Sequence, residues 1–367
     1  MIDTKYMELA LELAQKGRGW VAPNPMVGAV IVKDGKIIGE GYHKKYGELH
    51  AERNALAKAT TSVKGATMYV TLEPCCHVGK TPPCTEAIIE SGISRVVIGS
   101  TDPNPLVSGK GIEILRSHGI EVIEGVLKQQ CDKMNQVFFH YIDTEKPFVV
   151  MKYAMTMDGK IATYTGESKW ITGEAARNNV QQSRHEYAAI MVGIGTVLSD
   201  NPLLTCRMEN GKNPIRIICD TQLQIPFDSQ IVKTAGEVPT IIATANKDKD
   251  RQEFLEKAGC KVLVLPKRES HVDLEALMIE LGNLKIDSIL LEGGGTLNWS
   301  ALEMGIVQKV QCYIAPKLFG GSNAKTPVGG QGVAEPNKAI ELINTTVKQI
   351  GEDFLLESEV KARCLQE

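Results

Sequence analysis

Residues 71–87, TLEPCCHVGKTPPCTEA, gather three cysteines, one histidine and three prolines into one short stretch. Three kinds of structure explain such a loop: a disulfide, a redox dithiol or a metal site. The N-terminus shows no signal peptide, and the nine cysteines lie mostly singly in apolar runs, so we expect a reducing cytosol that disfavours disulfides. A redox pair is disfavoured because the stretch contains no Cys-x-x-Cys motif.

A metal site gains support from the HAE motif at residues 50–52, about one strand upstream of the loop. His50, Cys75 and Cys84 are ligand types that zinc prefers, and three protein ligands leave a fourth position for water. Zinc lowers the pKa of such water to roughly 7. Glu52 then serves as a carboxylate that moves protons without binding the metal.

Zinc nucleobase deaminases carry a His-x-Glu motif followed by two cysteines, the first of them after a proline. In this chain eight residues separate the two cysteines, where the common pattern has two. Because residues two apart do not share a helix face, His50 and Glu52 converge only if His50 occupies the first turn or the cap of a helix. A structural zinc site remains an alternative, with Cys76 or His77 as the fourth ligand.

Composition indicates an ordinary soluble protein of two domains. The chain has 367 residues, of which 43% are hydrophobic and 23% charged. The net charge of −3 and the lack of a long basic block argue against nucleic-acid binding, and no apolar run has the length of a membrane span. We place the domain boundary near residue 146, which gives domains at 1–146 and 147–367.

Both domains are expected to be α/β folds. In the first, strands and helices alternate and predict three α/β/α layers, with a hairpin at Asp34-Gly35 and a helix that ends at Gly92. In the second domain the first predicted strand begins at residue 148. Its predicted strands are 148–155, 188–195, 215–220, 240–244, 261–266, 288–294, 309–316 and 354–360.

The chain resembles the family of bifunctional riboflavin-biosynthesis deaminase/reductases over nearly its whole length. The motifs of the first half are APNPMVGAVIV (22–32), GYH (41–43), HAE (50–52), TLEPCCHVGKTPPC (71–84) and DPNP (102–105). Those of the second half are MKYAMTMDGKIA (151–162), SKWIT (168–172), GIGTVLSDNPLLTCR (193–207) and EGGGTLN (292–298). The eight-residue gap between the cysteines is typical of this family.

The resemblance implies two sequential reactions. A cytidine-deaminase-like first domain deaminates 2,5-diamino-6-ribosylamino-4(3H)-pyrimidinone 5′-phosphate with zinc. A dihydrofolate-reductase-like second domain then reduces the ribosyl group of the product, 5-amino-6-(5-phosphoribosylamino)uracil, to ribityl with NADPH. The implied partner is a small phosphorylated pyrimidine, and we expect a cytoplasmic homo-oligomer.

The deaminase pocket is expected to hold a phosphorylated pyrimidine. Asn24, between two prolines, suits a hydrogen bond to the ring or ribose, while His77 and Lys80 suit contacts to the phosphate. The resemblance adds His43, Asp102 and Asn104. Each of these is otherwise an ordinary loop residue.

The reductase site is less evident from the residues alone. GIG at 193–195 lacks the third glycine of a dinucleotide fingerprint, whereas the EGGG stretch at 292–295 suits either a phosphate or a tight turn. The resemblance implies NADPH contacts at Ala154, Trp170, Thr196, Asp200, Gly294, Gly295, Thr296, Leu297, Asn298, Trp299 and Ser300. It implies substrate contacts at Ser168, Arg184, Leu204, Arg207 and Glu292.

Arg184 and Arg207 suit phosphate binding because guanidinium groups match phosphate oxygens, and the alternative for both is a surface ion pair. Trp170 either stacks on the nicotinamide or fills the core. Lys152 or Glu292 is expected to deliver the proton during reduction, and the sequence does not choose between them.

Two rival functions remain. One is a cytidine or tRNA deaminase fused to a nucleotide-binding regulatory domain. The other is a structural zinc module on a domain that senses NADPH, which four protein ligands around the metal would favour.

Overall fold

A computed structural model describes residues 3–77 and 82–361 of the chain. The chain forms two compact units that divide between Glu145 and Lys146. None of the described helices has the length and apolar character that crossing a bilayer requires.

The first unit is a three-layer α/β/α sandwich. Its strands are β1 (Gly28–Lys33), β2 (Lys36–Tyr42), β3 (Thr67–Leu72), β4 (Arg95–Ser100) and β5 (Glu121–Ile123). Its helices are α1 (Thr4–Gln15), α2 (Ala51–Ala57), α3 (Cys84–Ser91), α4 (Lys110–Ser117), α5 (Lys128–Met134) and α6 (Gln136–Thr144). The sheet has the order β2-β1-β3-β4-β5, with β1 antiparallel to both neighbours and β3, β4 and β5 parallel.

Alternating apolar residues along the strands build a core on each face of this sheet. Ile31 and Met68 point into one core with α2, while Val30 and Tyr69 point into the other with α1. The helix α2 lies close to β2 because Gly41 has no side chain, and a Cβ there would lie 2.4 Å from the carbonyl oxygen of Ala51. This close approach fixes the start of α2, where the HAE motif lies.

The second unit is built on one long mixed sheet. Its helices are α7 (Glu174–Glu186), α8 (Ile194–Asp200), α9 (Gln230–Lys233), α10 (Lys249–Lys257), α11 (Leu274–Asn283) and α12 (Gly295–Glu303), with a 3-10 turn at Pro336–Lys338. The strands are β6 (Phe148–Thr156), β7 (Ala189–Gly193), β8 (Ile215–Cys219), β9 (Thr240–Thr244), β10 (Cys260–Val264), β11 (Lys267–Arg268), β12 (His271–Val272), β13 (Ser288–Leu291), β14 (Lys309–Ala315), β15 (Leu342–Ile350) and β16 (Asp353–Val360).

The main sheet of this unit has the order β10-β9-β8-β7-β13-β6-β14-β16-β15, and β11 with β12 forms a separate hairpin. The seven strands from β10 to β14 run parallel, and β16 and β15 complete the sheet in antiparallel fashion. Parallel strands covered by helices on both faces are apolar throughout, as Ile289, Leu290 and Leu291 illustrate.

Several details of this unit differ from the sequence expectations: the predicted strand 288–294 ends at Leu291, and the short strands β11 and β12 were not expected. The predicted strand 188–195 ends at Gly193, where α8 begins, because Gly193 adopts an extended conformation and caps the helix. The strand β15 was not expected, since its residues are almost all exposed and show no alternation of apolar and polar side chains.

Candidate active sites

The first site begins at the N-terminus of α2. His50 is the extended N-cap residue of this helix, and Glu52 lies in its first turn. A residue at the cap does not follow the helical rotation of the residues after it, so two side chains two positions apart can turn towards one point. This is the geometry that the spacing of the HAE motif required.

Two cysteines lie close to His50, one after β3 and one at the start of α3. Cys75 follows β3, and Cys84 is the first residue of α3. The Nδ1 atom of His50 lies 3.5 Å from the sulfur of Cys75 and 3.5 Å from that of Cys84. All three donor atoms lie within 4.8 Å of one another, so two sulfurs and one imidazole nitrogen form a donor set that fits tetrahedral zinc.

Cys76 and His77 do not complete this set. The sulfur of Cys76 lies 3.6 Å from the carbonyl oxygen of Leu106, to which it donates. His77 lines the neighbouring cavity, and its buried Nδ1 has no hydrogen-bond partner among the described residues. Within residues 3–77 and 82–361 the group of side chains that could hold a metal ion therefore has three members, His50, Cys75 and Cys84.

The titratable groups of this site differ in direction: the pKa of the Glu52 carboxyl is raised, that of the Cys84 thiol is raised by its hydrogen bond with Cys75, and that of the Cys75 thiol is lowered. Glu52 is buried beside the donor atoms, and burial, reinforced by the neighbouring Cys75 sulfur, raises the pKa of its carboxyl to about 7. The hydrogen bond from Cys84 lowers the pKa of the Cys75 thiol well below its usual value, although burial opposes this. The thiolate is the form that binds metals.

A cavity of about 300 Å³ opens onto Glu52. Asn24 and His43 line it together, because Asn24 Nδ2 lies 3.1 Å from His43 Nε2. His43 Nδ1 lies 3.1 Å from the carbonyl oxygen of Leu49, so Nδ1 carries the proton and Nε2 accepts from the amide. Burial lowers the pKa of His43, which keeps this imidazole neutral.

Asp102 and Asn104 also line this cavity. Asp102 accepts a hydrogen bond from the backbone N–H of Asn104 at 2.9 Å, and burial raises the pKa of its carboxyl to about 6. The structure thus brings together five of the six residues expected to bind the deaminase substrate. Lys80, the sixth, lies outside the described residues.

Sequence reasoning missed the role of Glu73 in this site. Its buried carboxylate accepts hydrogen bonds from four backbone N–H groups, those of Asp102 (3.3 Å), Gly109 (3.0 Å), Gly111 (3.0 Å) and Ile112 (3.3 Å). It therefore caps the start of α4 and fixes the loop that carries Asp102 and Asn104. A charged residue between a buried strand and Pro74-Cys75 was the available signal.

The second site is a cleft of about 760 Å³ along the carboxyl ends of four parallel strands in the second unit. Its walls include Lys152 of β6, Gly193 of β7, Cys219 of β8 and Glu292 after β13. Ligands of open α/β sheets bind at this edge of the sheet.

The glycine-rich stretch after β13 fits a phosphate group. Gly294 is the N-cap residue of α12, and no side chain caps this helix, so its first N–H groups face the cleft. A Cβ added at Gly294 or Gly195 would meet no protein atom, which leaves these parts of the cleft open to a ligand. These residues fit the pyrophosphate of a dinucleotide.

Three charged residues converge in the cleft at Glu292, directly before the glycine-rich stretch. The guanidinium of Arg184 makes two contacts to the Glu292 carboxylate, and Lys152 Nζ lies 3.7 Å from the same carboxylate. Although burial alone would raise the pKa of Glu292, the charges of Arg184 and Lys152 lower it to about 2. Burial lowers the pKa of Lys152. Arg184 is thus neither a free phosphate ligand nor part of a surface ion pair.

The cleft is lined by most of the residues expected for the reductase. These are Lys152, Ala154, Ser168, Arg184, Thr196, Asp200, Leu204, Glu292, Gly294, Gly295, Thr296, Leu297 and Ser300. Arg207, Trp299 and Asn298 are not in the lining. Trp170 is also outside it, since its ring is 60% exposed and lies against Arg177, with 4.7 Å between the guanidinium carbon and the ring centroid, rather than in the core.

The structure also places unexpected residues in the cleft. Lys325 contributes to its wall, as do residues 219–222 after β8 and residues 270–272 of the hairpin β11–β12. Polar residues directly after an apolar strand, as in Asp220-Thr221-Gln222, were the signal for the first group. The hairpin has no comparable signal.

The comparisons with known families match both units. Residues 1–100 match the family model described as the cytidine and deoxycytidylate deaminase zinc-binding region. Residues 147–356 match the model described as the RibD C-terminal domain. The expected fold class is confirmed, with a cytidine-deaminase-like α/β/α domain followed by a dihydrofolate-reductase-like α/β domain.

Curated relatives match over nearly the full chain. The riboflavin biosynthesis protein RibD of Actinobacillus pleuropneumoniae is 57% identical, over 97% of this chain and 95% of its own length. The protein of the same name from Aquifex aeolicus is 44% identical, over 97% of this chain and 98% of its own length.

Solved structures agree with this similarity. Acinetobacter baumannii RibD, form 1, has a TM-score of 0.88 and 36% identity, and the match covers 98% of this chain and 99% of that chain. The structure of a diaminohydroxyphosphoribosylaminopyrimidine deaminase/5-amino-6-(5-phosphoribosylamino)uracil reductase from Thermotoga maritima has a TM-score of 0.86 and 39% identity, and the match covers 98% of both chains. With its two candidate sites and these full-length similarities, the chain belongs to the RibD family of bifunctional deaminase/reductase enzymes of riboflavin biosynthesis.

Proposed function

We propose that this chain catalyses two consecutive steps of riboflavin biosynthesis. The first is the hydrolytic deamination of 2,5-diamino-6-ribosylamino-4(3H)-pyrimidinone 5′-phosphate, carried by residues 1–146. The second is the NADPH-dependent reduction of the ribosyl group of 5-amino-6-(5-phosphoribosylamino)uracil to ribityl, carried by residues 147–367. The main support is the convergence of His50, Cys75 and Cys84 beside a buried glutamate at a cavity.

His50, Cys75 and Cys84 are the residues that would hold one zinc ion per chain. When bound, zinc supplies the Lewis acid that activates water for attack on the amidine-like ring carbon. Glu52 takes one proton from the attacking water on its carboxylate and delivers it to the ring nitrogen. It then takes the second proton, from the hydroxyl that has added to the ring carbon, and delivers it to the amino group, which departs as ammonia. Its burial at the cavity wall keeps these transfers away from bulk water.

The other cavity residues orient the pyrimidine. The neutral His43 accepts from the Asn24 amide group, which leaves the amide oxygen of Asn24 for a donor on the ring or ribose. His77 has an unpartnered buried Nδ1 in the same cavity, and we assign it, with Lys80, to the substrate phosphate. Asp102 and Asn104 complete the substrate contacts.

In the second site, NADPH supplies the hydride, and the protein positions both reactants. The proposed cofactor contacts are residues 294–300, which form the N-cap and the first part of α12, together with Ala154, Trp170, Thr196 and Asp200. The proposed substrate contacts are Ser168, Arg184, Leu204, Arg207 and Glu292.

The proton for the sugar oxygen comes from Lys152. The pKa of Glu292 is about 2, so this carboxylate holds no proton at neutral pH. Burial lowers the pKa of Lys152, which makes its ammonium group the better acid of the two. Arg184 and Glu292 act together to hold Lys152 and the substrate in place.

One pair of variants tests the division of labour in the full-length protein. Glu52→Gln is expected to lower ammonia release by about 10²–10⁴-fold, keep its zinc and still reduce the deaminated intermediate with NADPH. Lys152→Met is expected to release ammonia normally and to form little ribityl product. Glu86→Gln, an exposed substitution on α3, serves as the matched control.

The assignment fails if Glu52→Gln deaminates at the normal rate, or if ammonia release by the unmodified protein requires NADPH. It also fails if ribityl product forms without NADPH. Each outcome is measured separately, by ammonia detection, by absorbance at the nicotinamide band and by chromatography of the product.

We assign the protein to the cytoplasm and to a homo-oligomer. The eight described cysteines are free thiols, as expected of a reducing compartment. The edge strand β15 exposes Leu342 by 45%, Ile343 by 41% and Val347 by 62%. Such an apolar edge is suited to pairing with a second copy of the chain. Sedimentation of wild type and of Val347→Lys tests this, and equal molecular masses at the monomer value would contradict it.

A further inference from the structure

The two cysteines of the candidate zinc site lie far apart in sequence for a pair of metal ligands. Eight residues separate Cys75 from Cys84, whereas two residues separate the cysteines of the common deaminase pattern. In the shorter pattern, a single turn of chain keeps the second cysteine near the first. Because the freedom of a connecting segment grows with its length, this chain needs other contacts to keep Cys84 within reach of the metal.

Hydrogen bonds to one carbonyl group hold Cys84 beside Cys75. The carbonyl oxygen of Cys75 accepts from the backbone N–H groups of Cys84 at 3.1 Å and Thr85 at 3.2 Å, and from Thr85 Oγ1 at 3.3 Å. These bonds fix the start of α3 relative to the residues that follow β3. They do not involve α2, which begins after the third ligand, His50. The distance between the cysteines and His50 therefore depends on further contacts.

Arg53 connects α2 to the segment directly before Cys84. Its Nε donates to the carbonyl of Pro82 at 3.2 Å, and its Nη2 donates to the carbonyl of Pro83 at 2.8 Å. Pro83 is the N-cap residue of α3, and no side chain caps this helix. Since prolines have no N–H group, the backbone of this segment can form hydrogen bonds only through its carbonyl oxygens. One planar guanidinium thus fixes two successive peptide groups next to a metal ligand.

The position of Arg53 is an unusual one for a cation. His50 is the N-cap residue of α2, so Arg53 is the third residue after the cap. The first turn of a helix favours acidic side chains, because the positive end of the helix dipole lies there, and Glu or Gln is preferred at this third position. Residues that oppose a local preference are expected where they serve a functional site. The two hydrogen bonds of Arg53 supply such a reason.

We propose that Arg53 is a positioning residue for the zinc site, which holds Cys84 close enough to His50 for both to bind one metal ion. Arg53 is not itself a ligand and acts through the carbonyls of Pro82 and Pro83. The proposal rests on the zinc site of the proposed deaminase function, since it explains how that site is kept together. Replacing residues that orient metal ligands typically weakens metal binding by about 10–100-fold.

The test is the dissociation constant for zinc, measured on the full-length protein by competition with a chromophoric chelator. Arg53→Met keeps the apolar stem but removes both donors, so we expect the constant to rise by about 10–100-fold. Arg53→Lys should give an intermediate constant, because an ammonium lacks the fixed fork that spans two carbonyl oxygens. Lys58→Met is the matched control. It removes an exposed cation at the other end of α2, and the constant should stay within about twofold of wild type.

Thermal unfolding of the zinc-free proteins separates a role at the metal from a role in general stability. The midpoint for the deaminase unit of Arg53→Met should lie within about 3 °C of wild type, because the metal ligands need no alignment when no metal is bound. If this variant unfolds at a lower temperature or does not fold, Arg53→Lys decides the question. A raised zinc constant for Arg53→Lys with an unchanged zinc-free midpoint supports the proposal, and a wild-type constant overturns it.

Two further results overturn the proposal. In the first, Arg53→Met binds zinc as tightly as wild type, which would mean that the bonds to the Cys75 carbonyl are sufficient to place Cys84. In the second, Lys58→Met weakens zinc binding as much as Arg53→Met, which would indicate a diffuse effect of charge. Both results leave the zinc site itself intact. Wild-type protein that binds no zinc would instead overturn the deaminase site, and the proposal with it.

Discussion

Glu292 and Arg184 form a two-point ion pair, with 2.8 Å between Arg184 Nε and Glu292 Oε1 and 3.1 Å between Nη2 and Oε2. The remaining guanidinium nitrogen of Arg184 donates to the carbonyl of Thr205 at 3.0 Å. Both side chains are only about one eighth exposed, at 12% and 13%. The pair therefore fixes two residues that the sequence had suggested as separate substrate contacts.

Replacing one partner of this pair should cost stability. Glu292→Gln leaves the buried charges of Arg184 and Lys152 without a counter-ion, so we expect the free energy of unfolding of the reductase unit to fall by about 3–5 kcal/mol. Calorimetry of the full-length protein measures this. Glu280→Gln, an exposed substitution on α11, should change it by less than about 0.5 kcal/mol.

The difference in stability between wild type and Glu292→Gln should depend on pH with a definite sign. The folded-state pKa of Glu292, about 2, lies below the unfolded value of about 4.3. A lowered pKa stabilises the fold above the unfolded value, and the contribution is lost as the pH falls through the folded value. The gap between wild type and Glu292→Gln should thus be constant from pH 7 to pH 5 and shrink between about pH 4 and pH 2. A gap that widens on acidification would contradict the ion pair.

The zinc site predicts a contrast between neighbouring cysteines. Cys84→Ala removes a donor that lies 3.5 Å from His50 Nδ1, so zinc content should fall from about one per chain to less than about 0.1. Cys76→Ala should keep its zinc, because its sulfur contacts the carbonyl of Leu106 instead. Atomic absorption on dialysed protein measures both. Loss of zinc in Cys76→Ala would mean a closed site with four protein ligands, and a structural rather than hydrolytic role.

Because Glu73 holds the loop that carries Asp102 and Asn104, we expect its replacement to affect both the stability of the deaminase unit and substrate binding. Glu73→Ala leaves four backbone N–H groups without their acceptor, so the unit should lose about 1–3 kcal/mol of stability. Because the loop with Asp102 and Asn104 is released, KM for the pyrimidine should rise more than kcat falls. Glu113→Ala, an exposed change on α4, is the control. An unchanged KM would show that Glu73 does not position this loop.

The convergence of His50, Cys75 and Cys84 could be predicted from sequence because histidine and cysteine are rare residue types and their chemistry restricts the choice. His50, Cys75 and Cys84 lie at a helix cap, after a strand and at a helix start, and each position follows from local pattern. The pair of Arg184 and Glu292 was not predictable as a pair, because 108 residues separate its members and a charged residue in sequence does not show which partner it meets.

The reductase shows the same limit in its loops. Trp170 was expected at the nicotinamide or in the core, yet its neighbours in sequence do not reveal that Arg177 lies beneath its ring. The strand β15 was missed because both of its faces are exposed, which removes the alternation that predicts strands. The spacing of apolar residues in a sequence reflects which side chains are buried. A strand at an exposed edge of a sheet therefore shows no such spacing and is hard to predict.

Arg216 shows a buried charge that sequence pattern also concealed, and it gives a stability prediction. It lies in the apolar strand β8 and is 0% exposed. Its guanidinium donates to five neutral oxygens, those of Thr240 Oγ1 (2.9 Å), Thr234 Oγ1 (2.8 Å), Ile231 O (3.0 Å), Val238 O (3.0 Å) and Leu203 O (3.3 Å). These contacts join β8 to β9, to α9 and to the loop before β8.

Arg216→Met keeps the apolar stem but removes the guanidinium donors, so that Val238 O keeps only the hydrogen bond from Thr240 Oγ1 and the carbonyls of Ile231 and Leu203 lose the bond from Arg216. Each unpaired buried acceptor costs roughly 1–3 kcal/mol, so the reductase unit should lose about 3 kcal/mol or more in its free energy of unfolding. Arg216→Lys should recover only part of this, because an ammonium has three donors and cannot span five acceptors. Lys257→Met, exposed on α10, is the control and should change stability by less than about 0.5 kcal/mol. A variant Arg216→Met as stable as wild type would contradict this prediction. It would mean that water or other side chains replace the guanidinium donors and that Arg216 is not needed to hold these segments together.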